Sequence, residues 1–276
     1  MDFNLNKEQY FISAFSSKNI GDDGAVIDGM VYTKDAFFEN VHFKREWMTP
    51  YQIATKAMMV NISDAIAMNA KPKFALLSVA IPSSMSAVAM KELARGFESC
   101  ARKYGVEIIG GDTLSNTKLD ITVTIISETK KPLWRKGLKR GDLLAYTGLL
   151  GKSSRALKQL LSGAPLHKNS KFHNIELRDI FMRAVGAKLR VGMDISDGLF
   201  SDLDKLAKIN HMGFHFKRKF SKATACSGEE YEMLVGFDRR LRKTVIRHAQ
   251  KTRTPLVLFA EAKRGSFVNR CKAHHF

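Results

Sequence analysis

Six short stretches set an aspartate beside glycine or serine at the ends of strand-like runs. They are Gly21-Asp22-Asp23-Gly24, Lys34-Asp35-Ala36, Asn61-Ile62-Ser63-Asp64, Gly110-Gly111-Asp112-Thr113, Arg140-Gly141-Asp142 and Asp194-Ile195-Ser196-Asp197-Gly198. Carboxylates scattered over most of a chain, yet repeated in one context, point to a shared polynuclear Mg²⁺ site. Mg²⁺ takes one or two carboxylates together with phosphate oxygens and water. The chemistry implied is phosphoryl transfer.

Between these stretches strand and helix patterns alternate. Residues 24–32 and 38–43 read as two strands around a turn at Asp35. Thr49-Pro50 is a cap followed by proline at the first helical position, and it opens a helix over 50–69 that carries Ile53, Ala57, Val60 and Asp64 at helical spacing. Residues 74–81 read as a strand and 86–104 as an amphipathic helix ending near Gly105. A strand over 106–109 then runs into Gly110-Gly111-Asp112, and 119–127 alternates as another. Charge, Pro132 and Gly137 concentrate between Lys130 and Lys139. Beyond them strands are expected at 142–147, 191–195 and 213–220, and helices at 152–162, 174–188 and 198–209. The fold class is α/β (α+β), with domains expected over 1–135 and 136–276.

The hydrophobic fraction of 45% supports a packed core. No run approaches the eighteen or so apolar residues of a membrane span, and the first residues lack a signal-peptide layout, so a cytoplasmic protein is expected. Cys100, Cys226 and Cys271 are far apart and lack metal-ligand spacing, and they read as reduced packing residues. Residues 1–135 hold 16 Lys and Arg against 15 Asp and Glu, whereas residues 136–276 hold 29 against 12. A basic half could serve nucleic acid. Arg239-Arg240-Leu241-Arg242-Lys243 is broken by Leu241 and Val245 in a helix-like pattern, however, which favours a solvated basic surface that attracts anionic substrates. No nucleic-acid partner is expected.

Single motifs carry unequal weight. Gly148-Leu149-Leu150-Gly151-Lys152-Ser153 lacks the first glycine of a P-loop, where Tyr146 stands, and reads as a turn that starts a helix at 152. Gly110-Gly111-Asp112-Thr113 would let the backbone approach a phosphate while Asp112 holds its metal; a tight turn with a local cap explains it equally well. Asp197 could be only an N-cap. Ser227-Gly228-Glu229-Glu230 matches a capping box, which leaves Glu229 unassigned. His42 lies in an apolar and aromatic run, and Tyr104 sits at a helix end.

In order, GDDGAVI, TKDAFFENVHF, VNISDAIAMNAKP, YGVEIIGGDT, RKGLKRGDLLAYTGLLGKSSRAL, DISDGLFSDL and SGEEYEML resemble the thiamine-monophosphate kinases of the aminoimidazole-ribonucleotide-synthetase-like superfamily. The resemblance spans residues 21–234, and Val41-His42-Phe43 is what separates this kinase from its relatives. It implies a two-domain fold whose N-terminal sheet forms the core of a homodimer, and transfer of a phosphoryl group from ATP to thiamine monophosphate with several Mg²⁺ ions. It further implies metal binding by Asp23, Thr33, Lys34, Asp35, Asp64, Asp112, Asp194 and Asp197. ATP would meet Tyr104, Gly111, Asp112, Arg135 and Ser196, with Asp112 and Arg135 acting in catalysis. His42, Glu229 and Arg270 would meet thiamine monophosphate.

The pattern also departs from the family. Lys34 stands where a small hydroxyl residue is usual, and its ammonium would compete with a cation. The segment 215–226 and the region after 236 look short. His275-Phe276 match the family's terminus, while Arg270 replaces an aromatic residue. The alternatives are an ATP-dependent relative with another acceptor, or a weakened nucleotide- or RNA-binding homologue.

Overall fold

The computed structural model describes residues 7–272. After a short helix α1 (Lys7–Ser13), strand β1 (Ala25–Ile27) turns into β2 (Met30–Phe38) at Asp28-Gly29. Both turn residues have positive φ, 49° and 78°, as tight hairpins require. Asp35 therefore lies inside β2 rather than on a turn. The strand expected at 38–43 is replaced by a bend closed by a bridge between Glu39 and Phe43.

Helix α2 (Pro50–Ala67) begins as its sequence dictates. Thr49 Oγ accepts from Gln52 N, the Gln52 side chain accepts from Thr49 N, and Pro50 occupies the first turn. Strand β3 (Lys71–Pro82), helix α3 (Ala87–Tyr104) and strand β4 (Glu107–Asn116) form a parallel crossover, and β5 (Asp120–Glu128) completes a sheet of order β1-β2-β5-β3-β4. Ser86 caps α3, and left-handed Gly105 ends it. Gly110-Gly111 is not a turn, because β4 continues through it after a bulge at Ile109. Gly111 passes so close to the Leu77 backbone that any Cβ would collide.

The second half builds its own sheet from β6 (Leu143–Thr147), β7 (Val191–Asp194), β8 (Gly213–Phe216), β9 (Met233–Phe237) and β10 (Leu256–Lys263), in the order β7-β9-β6-β10-β8 with every pair antiparallel. Its helices are α4 (Lys152–Leu161), α5 (Asp179–Val185), α6 (Leu199–Asn210), α7 (Lys222–Ala225) and α8 (Arg242–Lys251). The helix expected over 174–188 shrinks to α5 and a 3₁₀ turn, Gly186–Lys188. Ahead of α5, Arg178 is instead drawn to Glu232 by a two-point hydrogen bond. The strand expected at 213–220 ends at Phe216.

Helix α2 ties the halves together, packing on β2 and β5 while reaching β7 and α5. One apolar core runs from Phe37 and Ile62 through Phe181 to Val235 and Phe237. Cys226 and Cys271 form a disulfide across 45 residues with Cα atoms 5.4 Å apart, and Cys100 is buried and free. The expectation of three reduced thiols is corrected for that pair. The tail folds back onto the turn after α7, a long-range contact invisible in spacing. Among the described residues no helix is long and apolar enough to cross a membrane.

Candidate active site

Three segments that meet at α2 deliver the carboxylates. Asp23 comes from the loop before β1, Asp64 from the last turn of α2, and Asp194 from the end of β7. One oxygen of each lies within 4.8 Å of the others. Asn61, one turn before Asp64, organises β2: its Oδ1 accepts from Asp35 N at 2.6 Å and its carbonyl from Thr33 Oγ at 3.1 Å. Asp35 is thereby placed close enough to Asp64 for its carboxyl to raise that of Asp64. Ser63 Oγ donates to Asp194 Oδ2 at 2.6 Å. The run Asn61-Ile62-Ser63-Asp64 thus serves the site with three of its four side chains.

Burial pushes the Asp64 and Asp194 carboxyls well above the ordinary carboxylate range, and repulsion from Asp23, Asp35 and one another adds to it. The one adjacent guanidinium, Arg135, is ion-paired with Asp23 Oδ1. Asp23 Oδ2 is buried with no hydrogen-bond partner. An all-oxygen donor set, crowded negative charge and an orphaned carboxylate oxygen fit a hard divalent cation such as Mg²⁺.

The cluster opens into a cavity of about 700 Å³ between the two sheets. His42 lines it, accepting from Phe38 N at its Nδ1 (3.0 Å) with its ring beside Phe37. Arg135, Ser196, Asp197 and Glu229 also line it. Asp197 is bound by Lys205 at 2.6 Å, and Lys205 also holds Asp202 at 2.9 Å. Glu229 and Tyr231 adopt left-handed backbone (φ 53° and 50°), fixed by hydrogen bonds from their N–H groups to Ser196 O and Ile195 O. Such conformations persist only where surrounding contacts over-determine them.

Other expected residues lie elsewhere within one chain. Lys34 lines the cavity rim, but its ammonium donates to Thr122 and Thr124 on the sheet face opposite Asp35, so the expected competition with a cation at Asp35 is not built. Asp112 is on that same outer face, since Ala36, Thr122, Ser78 and Asp112 stand in register across the sheet. Three strand spacings put it about 14 Å from β2. Gly111 and Asp112 edge a separate groove. Tyr104 lines a cleft with Asn69, Asp179 and Arg183, its hydroxyl 3.9 Å from Met59 Sδ. Arg270 is exposed on the tail and is not among the residues that line the cavity, and His275-Phe276 lie outside the described residues. Asp142 closes a turn with Lys139 N and pairs with Arg190, apart from the site.

The expected capping box at 227–230 is also corrected. Ser227 donates to Glu230 at 2.6 Å, but no helix follows; the pair instead accepts from Gly151 N, Ser153 N and Ser154 N at the start of α4. Glu230 therefore fills the anion site that the glycine turn at 148–151 would otherwise offer. Sequence reasoning missed Lys56, which pairs with Glu229, and Lys171 and Arg178, which hold Glu230 and Glu232. Only the buried lysine in an otherwise apolar helix turn could have signalled the first of these.

Residues 21–129 match the family described as AIR synthase related protein, N-terminal domain. Thiamine-monophosphate kinase of Buchnera aphidicola subsp. Schizaphis graminum is 38% identical over 211 residues, covering 71% of this chain and 64% of the relative. The enzyme of that name from Bacillus subtilis is 34% identical over 210 residues, covering 68% and 63%. The chain thus spans a little under two thirds of the length of these curated relatives. In fold it matches the solved structure of AaThiL complexed with AMPPCP and TMP, with a TM-score of 0.84 at 24% identity over 95% of this chain and 91% of that one. The family match thus lies in the N-terminal part of the chain, and thiamine-monophosphate kinases are among the proteins it is similar to in sequence and in fold.

Proposed function

We propose that this protein is an Mg²⁺-dependent kinase that moves the γ-phosphoryl group of ATP onto the phosphate of thiamine monophosphate, giving thiamine diphosphate and ADP. The observation that carries this reading is one cavity in which the Asp23–Asp64–Asp194 cluster faces His42 and Glu229. The names of the relatives support the choice of acceptor.

Asp23, Asp35, Asp64, Asp194 and Asp197 would hold the metal, with Thr33 and the Lys34 carbonyl beside them. Mg²⁺ bound there supplies charge neutralisation to the phosphates, the main requirement of a loose phosphoryl-transfer transition state. Arg135 is placed to exchange Asp23 for a phosphate oxygen, and Ser196 to donate to one. The Phe38 N–H on His42 Nδ1 leaves the proton on Nε2, which can donate to the acceptor phosphate. A phosphate monoester is largely ionised at neutral pH, so no residue need act as general base.

Gly111 and Asp112 enter this reading through a second copy of the chain. The sheet face that carries Asp112 also exposes Tyr32, Phe74, Leu76 and Leu114, an apolar surface that a homodimer would cover. Tyr104 is assigned to the adenine on resemblance alone. We further propose a division into 1–135 and 136–276, supported by one sheet on each side, and a cytoplasmic site of action. Thiamine diphosphate formed from ATP and thiamine monophosphate only when Mg²⁺ is present is the expected result. ATP turnover without the diphosphate, or preference for another phosphorylated acceptor, contradicts it.

A further inference from the structure

We propose that Lys56 is the positioning residue of the acceptor site, fixing Glu229 so that one carboxylate oxygen is presented to an amino group on the acceptor; this rests on the kinase reading above. Lys56 is fully buried on α2, its Nζ 2.7 Å from Glu229 Oε2, while the Glu229 side chain is 27% exposed toward the cavity. The ammonium also lies 4.1 Å from the Phe172 ring and 5.6 Å from the Phe37 ring. A buried ammonium is costly unless it is paired. Here Glu229 supplies the pairing carboxylate, and two aromatic faces enclose the rest.

The arrangement does more than satisfy a charge. Lys56 occupies Oε2 and leaves Oε1 for a donor from the cavity, and the paired ammonium keeps Glu229 from acting as one more metal carboxylate. Glu230 and Glu232 are locked by Lys171 and Arg178. Glu229 is the member of this acidic segment that faces the cavity, and its left-handed backbone is held by Ser196. Lys56 and Asp64 share helix α2 eight residues apart, their backbone positions about 12 Å apart along its axis, and Glu229 and the metal cluster line one cavity. An acceptor that meets both carries a phosphate at one end and an amino-bearing ring at the other.

The test compares KM for thiamine monophosphate and for ATP in the wild type, Lys56→Met, Glu229→Gln and the double variant, with melting temperatures alongside. Lys56→Met is expected to raise KM for thiamine monophosphate by about 10- to 100-fold, the scale of a lost charge-assisted hydrogen bond, with KM for ATP changed less than twofold. Glu229→Gln placed on Lys56→Met should recover melting temperature without restoring KM. Should Lys56→Met fail to fold, the double variant is compared with Glu229→Gln alone, and a further rise in the acceptor KM is expected. An unchanged acceptor KM, or equal rises in both constants, overturns the proposal. A wild type that neither binds nor phosphorylates thiamine monophosphate overturns the kinase reading itself, and the inference with it.

Discussion

The two sheets of this molecule solve burial in opposite ways. In the second half, β6, β7 and β9 are buried along their whole length, in a part of the chain whose basic residues outnumber its acidic ones by 29 to 12. In the first half, α2 and α3 cover one face only. The other face leaves Tyr32 37%, Leu76 38% and Leu114 50% exposed, and edge strand β4 presents its glycines and Asp112 there. A sheet finished within the chain can position a site, whereas a sheet left open calls for a partner. The candidate site draws on both, with Asp23 and Asp64 from the first half and Asp194 from the second.

The sharpest way to break this comparison is to remove a carboxylate at the junction. Asp64→Asn is expected to lower phosphotransfer by roughly a hundredfold or more, the scale of losing one central electrostatic contact. The same variant should melt higher than wild type without metal and lose most of the Mg²⁺-dependent rise in melting temperature. The sign follows from the raised Asp64 and Asp194 carboxyls. The native state holds more protons than the unfolded chain, so metal-free stability falls as pH rises above the ordinary carboxylate range. The Mg²⁺-dependent rise should accordingly be larger at pH 8 than at pH 5; an equal rise at both contradicts the cluster's role.

A charge on the open face probes the first sheet alone. Leu76→Lys should shift the protein from dimer to monomer in sedimentation and cut activity by tenfold or more while leaving the far-ultraviolet spectrum intact. If the protein stays dimeric, that face is not the interface.

The second sheet was less legible than the first. Helix α2 could be read from Thr49, Pro50 and the spacing to Asp64, because capping and periodicity are local. The hairpin at Asp28-Gly29 carried an equally local signal that was passed over in favour of the Asp35 turn. Nothing local announces that β4 continues through Gly110-Gly111, since that depends on close approach to Leu77. The same holds for Ser227 and Glu230 capping α4, for Lys56 reaching Glu229 across 173 residues, and for Cys226 meeting Cys271. Local pattern singled out aspartates that the fold brings to one cavity and could not say which would be joined.

That disulfide sharpens the contrast at smaller scale. Reductant should destabilise the oxidised protein by about 2–4 kcal/mol, as expected for closing a loop of this length, and Cys271→Ser should remove the sensitivity. A melting temperature indifferent to reductant in protein shown by mass to be oxidised runs against it. The smallest effect is expected at Arg270, which lies outside the cavity. Arg270→Ala should change neither KM by as much as twofold, and a selective rise for thiamine monophosphate would bring the tail back into the site.

The central claim is that the open first sheet makes each site a joint product of two chains, Asp64 from one and Asp112 from the other. Asp64→Asn and Asp112→Asn proteins, each nearly inactive alone, should be unfolded together, refolded and assayed. In a mixed twofold dimer one of the two sites is intact, and half of randomly assembled dimers are mixed, so recovery of about a quarter of wild-type activity is predicted. No recovery, in a mixture shown to contain the mixed dimer, would contradict the shared site.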